Sequence, residues 1–110
     1  MLILLYKVGE EPKPMIIKRD YKSMQKLVGG NIENYQVNEK ICLICDDEGY
    51  IKGRPVNRRV VDKSGIIHQA ICGDFFVCGA GEEDFVSLTC GQASRIIKRS
   101  EPGIYPGWIE

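Results

Sequence analysis

The chain has 110 residues, enough for one domain that buries roughly two-thirds of the surface its unfolded form exposes. Apolar residues make up 44% and charged residues 27%, which excludes a disordered or fibrous class. The 15 basic and 15 acidic side chains cancel, so neither the basic excess of a general duplex-DNA binder nor the acidic excess of a DNA mimic is present.

The apolar opening Met1–Tyr6 is too short for a signal peptide and runs straight into Lys7 and the charged Glu10–Lys13 stretch. No other window reaches the length of a membrane span. The expected location is the cytosol of the cell that makes it, with no membrane partner.

Residues 2–8 read as a first, central strand. Gly9 to Pro14 is a turn with two prolines, and Met15–Lys18 the second strand of a hairpin. Asp20 predicts an N-cap for a helix over Tyr21–Val28, where Tyr21, Met24, Leu27 and Val28 share one face. Gly29-Gly30 ends that helix. Ile32–Val37 reads as an edge strand and Ile41–Cys45 as the most strongly β run of the chain.

Asp46–Gly49 has the composition of a tight turn, after which Tyr50-Ile51 begins a return that a basic loop interrupts. Val60-Val61, Ile66–Cys72 and Phe75–Cys78 are further extended runs separated by glycine turns. Phe85–Leu88 then approaches a second helix, opened by the Thr89-x-x-Gln92 capping-box spacing and running to about Lys98. The predicted fold is α+β, a single small domain over residues 1–100 with a mixed, mostly antiparallel sheet packed by two helices. Its core contains Leu4, Ile17, Leu27, Leu43, Phe76 and Ile96, and residues 101–110 form a C-terminal tail.

Five cysteines, at 42, 45, 72, 78 and 90, raise the question of metal. Cys42 and Cys45 spell C-x-x-C, but on an apolar strand, where side chains three apart point to opposite faces. The expectation is buried, reduced thiols and no metal, cofactor or catalytic residue. Cys90 follows Thr89 at the start of the second helix and is the one thiol a helix dipole would reach. His68, the single histidine, lies on a strand and reads as satisfied or exposed rather than catalytic.

The best candidate site is the stretch Lys52-Gly53-Arg54-Pro55-Val56-Asn57-Arg58-Arg59. Guanidinium forks match phosphate or carboxylate, Asn57 donates and accepts, and Gly53 lets backbone approach a ligand. The order is not that of a Walker loop. The competing reading is a solvated turn whose cations pair with Asp46, Asp47 or Glu48. Tyr105 and Trp108, in the Pro/Gly-rich tail, either dock back on the sheet or are presented to a partner.

Three clusters together carry a resemblance. They are Val28-Gly29-Gly30-x-Ile32-Glu33; Asp47-Glu48-Gly49 with Gly53-x-Pro55-x-Asn57-Arg58; and Ile71-x-Gly73-x-Phe75-Phe76-x-x-Gly79, backed by Glu83-Asp84-Phe85-x-Ser87-Leu88. In this order they resemble a family of small domains of unknown function, of the kind encoded by phages and conjugative elements of Gram-positive bacteria. The resemblance covers roughly residues 1–100 and implies one α+β domain in a mobile-element context. This chain is richer in cysteine and more basic at Arg54 and Arg58-Arg59 than the pattern. The expected function is a non-enzymatic binding protein whose partner is a host protein or a small anionic ligand such as a nucleotide. Antagonism of a bacterial defence system is the role that context suits. The alternatives are a nucleic-acid-binding accessory using the basic loop, which zero net charge disfavours, and a cysteine-dependent enzyme.

Overall fold

A computed structural model describes residues 1–109. In chain order the elements are β1 (Leu2–Tyr6), β2 (Lys13–Ile16), α1 (Tyr21–Val28), β3 (Ile32–Gln36), β4 (Ile41–Asp46) and β5 (Val56–Val61). There follow β6 (Ile67–Cys72), β7 (Phe75–Ala80), β8 (Phe85–Val86), α2 (Cys90–Lys98) and β9 (Ile104–Pro106). They form a small α+β domain with two sheets. The larger has the order β2-β1-β7-β4-β3, with β8 also on β7, and every pairing in it is antiparallel. The smaller has the order β6-β5-β9, antiparallel between β5 and β6 and parallel between β5 and β9.

The continuous apolar runs of β1, β4 and β7 follow from burial on both faces. Along β4, Ile41, Leu43 and Cys45 face one core, while Cys42 and Ile44 face the other. Phe75 and Val77 of β7 join the first core; Phe76 and Cys78 join the second. The smaller sheet and α2 cover the first face through Val60, Ile71, Tyr105 and Ile96. The second face is covered by α1 through Met24 and Val28, helped by Ile17.

Both helices lie where the sequence predicts them, for the predicted reasons. The Asp20 carboxylate accepts from the Ser23 backbone N–H at 2.7 Å, and Gly29 closes α1 at φ 81°. At α2 the Thr89 hydroxyl accepts from Gln92 N at 3.0 Å and the Gln92 side chain accepts from Thr89 N at 2.9 Å. Of the expected core residues, Leu4, Ile17, Leu43, Phe76 and Ile96 are buried, and Leu27 is partly buried against them.

Three expectations need correction. The second strand is Lys13–Ile16, not Met15–Lys18: Pro14 sits opposite Leu4 on an edge, where its missing donor costs no ladder bond. Residues 56–59 are not loop but the first part of β5; Val56-Asn57-Arg58-Arg59 hides a strand because two of its inward residues are polar. Phe85-Val86 is a short strand on β7. Of the two readings of the tail, residues 104–106 dock, since β9 completes the smaller sheet; Glu110 lies outside the described residues.

Tyr105 is fully buried, with its ring 5.8 Å from that of Tyr6 in an edge arrangement. Tyr105→Ala should therefore cost about 3–5 kcal/mol, the range for emptying a buried aromatic site. Trp108, only partly buried, should cost less when truncated. Urea denaturation of the two variants measures the difference.

Candidate functional site

The stretch from Asp46 to Arg59 divides into two structures. In the first, Asp46 ends β4 with its side chain buried, and its carboxylate receives Lys52 Nζ at 2.8 Å and Arg54 at 3.2 Å. The Glu48 backbone N–H adds a third bond, at 3.0 Å. Burial alone raises this carboxyl, but Lys52, the Glu48 amide and Arg54 outweigh it and hold it below its usual value. Arg54 also donates to the carbonyls of Val28, at 3.3 Å, and Gly29, at 2.9 Å, at the C-terminal end of α1. Glycines make room for it. A Cβ at Gly30 would stand 2.6 Å from Lys52 Nζ, and one at Gly73 would stand 2.7 Å from Arg54 Cδ. Lys52 and Arg54 thus clamp the end of α1 to the β4–β5 connection.

In the second, on β5, the Asn57 amide is buried and donates both protons, to Tyr6 O and to Gly73 O, each at 2.9 Å. Its oxygen accepts from Arg58 NH1 at 2.7 Å. Asn57 has no donor left for a ligand. Arg58 is only 7% exposed, and its guanidinium lies 5.3 Å from the centre of the Tyr6 ring, which stacks on Phe75. Besides Asn57 Oδ1, it donates to Asn57 O at 3.0 Å and to Glu10 O at 2.6 Å. Every one of these acceptors is a neutral carbonyl. Among the described residues no carboxylate pairs with Arg58.

Arg58 lines a cleft of about 250 Å³ between residues 9–12 and residues 100–103. Two turns form its walls. Glu10 N bonds to Lys7 O at 3.0 Å, and Ile104 N bonds to Glu101 O at 3.1 Å. The second turn is held against β5 by the Arg59 N–H to Gly103 O bond at 2.8 Å. The Tyr6 hydroxyl is buried behind Arg58 and is not part of the cleft lining. Ser100, beside it on the cleft wall, directs its own proton to Ile96 O at 2.9 Å. Burial pushes the Tyr6 phenol up to about 12, against smaller opposing effects of Ser100 and Arg58. Burial likewise raises Tyr105, with the nearby Tyr6 adding to it.

The residues singled out in the sequence are thus dispersed. Lys52 and Arg54 serve Asp46, Asn57 and Arg58 face inward, and Arg59 is exposed on β5. Tyr105 is docked, and Trp108 lies partly buried beside Lys40, Thr89 and Gln92 on another side of the fold. The cleft's other members, Glu11, Ser100 and Glu101, lie in two turns far apart in the chain. Nothing in the sequence joins those turns; only their shared Pro and Gly content marks each as a turn.

Cys42 and Cys45 face opposite sides of the larger sheet, and all five thiols are free. Burial, with Glu33, Asp46 and Asp47 nearby, pushes Cys45 up to about 12; the contact with Cys42 at 3.5 Å and burial raise Cys78. Among the described residues no three His, Cys, Asp or Glu side chains converge as metal ligands would. His68 Nε2 meets Asp62 at 2.8 Å beside a cavity of about 170 Å³, which no cysteine or serine lines. No helix among the described residues is long and apolar enough to cross a membrane.

Fold and site together define a two-sheet α+β domain with an arginine-lined cleft of about 250 Å³. The chain belongs to the DUF3846 family, a domain of unknown function, whose profile matches residues 1–101. Neither the curated proteins nor the solved structures contain a match to it.

Two outcomes follow from this geometry. Asn57→Ala leaves two buried carbonyls without a donor and should cost about 2–4 kcal/mol, whereas Arg59→Ala should stay within about ±0.5 kcal/mol. Chemical denaturation of both variants separates the pin from the surface cation. The buried phenols also set an alkaline limit. Above pH 10 the unfolded chain ionises its tyrosines while Tyr6 and Tyr105 stay protonated, so stability is complete below pH 10 and falls toward pH 12. The loss is up to about 1.4 kcal/mol per pH unit for each phenol. Tyr6→Phe should flatten part of that fall, as read from urea midpoints across the alkaline range.

Proposed function

We propose that this protein is a non-enzymatic binding protein whose site is the Arg58 cleft and whose ligand presents an anionic group to the guanidinium. One observation carries the reading: a nearly buried arginine, lining a cleft, whose protein partners are all neutral. Burying a charge without a counter-ion is costly, and a ligand anion is the group that would relieve it. Of the five N–H groups of Arg58, three are used, leaving the Nε proton and one on NH2 for a ligand. The raised thiols of Cys45 and Cys78 argue for a structural rather than nucleophilic role for those cysteines. Lys52 and Arg54, committed to Asp46, offer little to a nucleic-acid backbone.

The resemblance to domains of phages and conjugative elements supports a mobile-element gene acting in the host cytosol. Five unpaired cysteines suit that reducing compartment. Antagonism of a host defence system, by binding a small signal or an acidic group on a host protein, is the role such a setting favours.

The test is titration of the intact protein with phosphate, carboxylates and mononucleotides, followed by amide chemical shifts. Shifts should centre on Arg58, Ser100 and the 9–12 segment. Arg58→Lys should weaken binding by roughly ten- to a hundredfold, since an ammonium does not reproduce the fork. Glu101→Trp, an exposed change that fills the cleft, should abolish binding without unfolding the protein. Anion shifts that centre on Lys52 and Arg54, or that survive Glu101→Trp, would overturn the proposal.

A further inference from the structure

The cleft is lined by charges of both signs. Arg58 lines it as a nearly buried side chain, while Glu11 and Glu101 line it from exposed positions. Glu10, a third lining residue, gives its carboxylate to Lys13 at 3.2 Å. Among the described residues, neither Glu11 nor Glu101 meets a cation within ion-pairing distance. Ser100, whose proton goes to Ile96 O, keeps an oxygen able to accept.

Charge complementarity then narrows the anion. A nucleotide would bring two or more negative charges into a cleft that Glu11 and Glu101 also line, and like charges held close together repel. The volume of about 250 Å³ also falls below the roughly 300–1,000 Å³ usual for drug-sized ligands. A simple carboxylate would satisfy Arg58 and leave the two glutamates unpaired. A simple amine would do the reverse.

We propose that the Arg58 cleft takes a small zwitterion, an amino acid or related amino-carboxylate, with its carboxylate on Arg58 and its ammonium between Glu11 and Glu101. This rests on the reading of the cleft as an anion site and adds the class of molecule that carries the anion. Pro12 and Pro102, which also line the cleft, offer apolar surface to the carbon chain between the charges.

The experiment is calorimetric and amide-shift titration of the full chain with alanine, β-alanine and 4-aminobutyrate. Propionate, butyrate, butylamine and inorganic phosphate run beside them. At least one amino-carboxylate should bind about tenfold or more tightly than the carboxylate of the same chain length. In the double variant Glu11→Gln/Glu101→Gln, exposed at both positions, that advantage should vanish while butyrate binding is unchanged or stronger. Butyrate or phosphate binding at Arg58 as tightly as every amino-carboxylate would overturn the zwitterion and leave the anion site standing. An amino-carboxylate advantage that survives the double variant would overturn the role of the two glutamates. No response at the cleft to any of these probes would overturn both the zwitterion and the anion site.

Discussion

The Asn57 side-chain amide is the bond on which the arrangement of the two sheets depends. Its two protons go to Tyr6 O at the end of β1 and to Gly73 O in the β6–β7 turn, while Asn57 itself lies on β5. One group therefore ties an outer-layer strand to the central sheet and to the turn that links the sheets. An unpaired buried amide costs more than a made hydrogen bond gains, so the registry is enforced mainly by penalty. The neighbouring residue inherits the geometry. With Asn57 fixed inward, the β5 irregularity between Val56 and Arg58 lets Arg58 turn inward as well, over the Tyr6 ring. The cleft is a by-product of that constraint.

A second constraint acts on the opposite side of the same connection. Asp46, Lys52 and Arg54 close the route from β4 to β5 and hold it to the end of α1. Gly29, Gly30, Gly49 and Gly73 crowd round it, and at Gly49 the obstruction to a Cβ is the backbone oxygen of Cys72, 2.6 Å away. They are four of the six glycines in the three clusters that carry the family resemblance; Gly53 has open space around it and Gly79 meets Val86. The resemblance therefore rests largely on a structural clamp. Residues that hold the fold together and the arginine proposed to meet a ligand are distinct here, though they are interleaved between 46 and 59.

That interleaving explains what the sequence discloses and what it withholds. The helices are legible because their signals are local: Asp20 and Gly29 bound one, and Thr89 with Gln92 opens the other. β1, β4 and β7 are legible because two-sided burial makes them uniformly apolar. β5 is not, since Asn57 and Arg58 occupy positions where a strand normally carries apolar residues. Their burial depends on Tyr6, Glu10 and Gly73, between 16 and 51 residues away for the Asn57 bonds alone. Tyr105 in β9 is opaque for the same reason. A parallel pairing with β5 leaves no periodic signal in three residues.

Arg54 and Arg58 differ by four positions and look alike in the sequence, yet they do opposite electrostatic work. Arg54 meets a buried carboxylate and two helix-end carbonyls, so its charge is matched inside the protein. Arg58 is the more deeply buried of the two and meets only neutral oxygens and an aromatic face. Neutral dipoles and a ring quadrupole stabilise a guanidinium without cancelling its charge. A protein of zero net charge can therefore hold a strongly polarised site. Charge counted over the whole chain excludes a broad basic surface, but it does not bear on one uncompensated group held away from water. The distinction lies in where each partner sits, and that is fixed by the β1, β5 and β6–β7 geometry around Asn57.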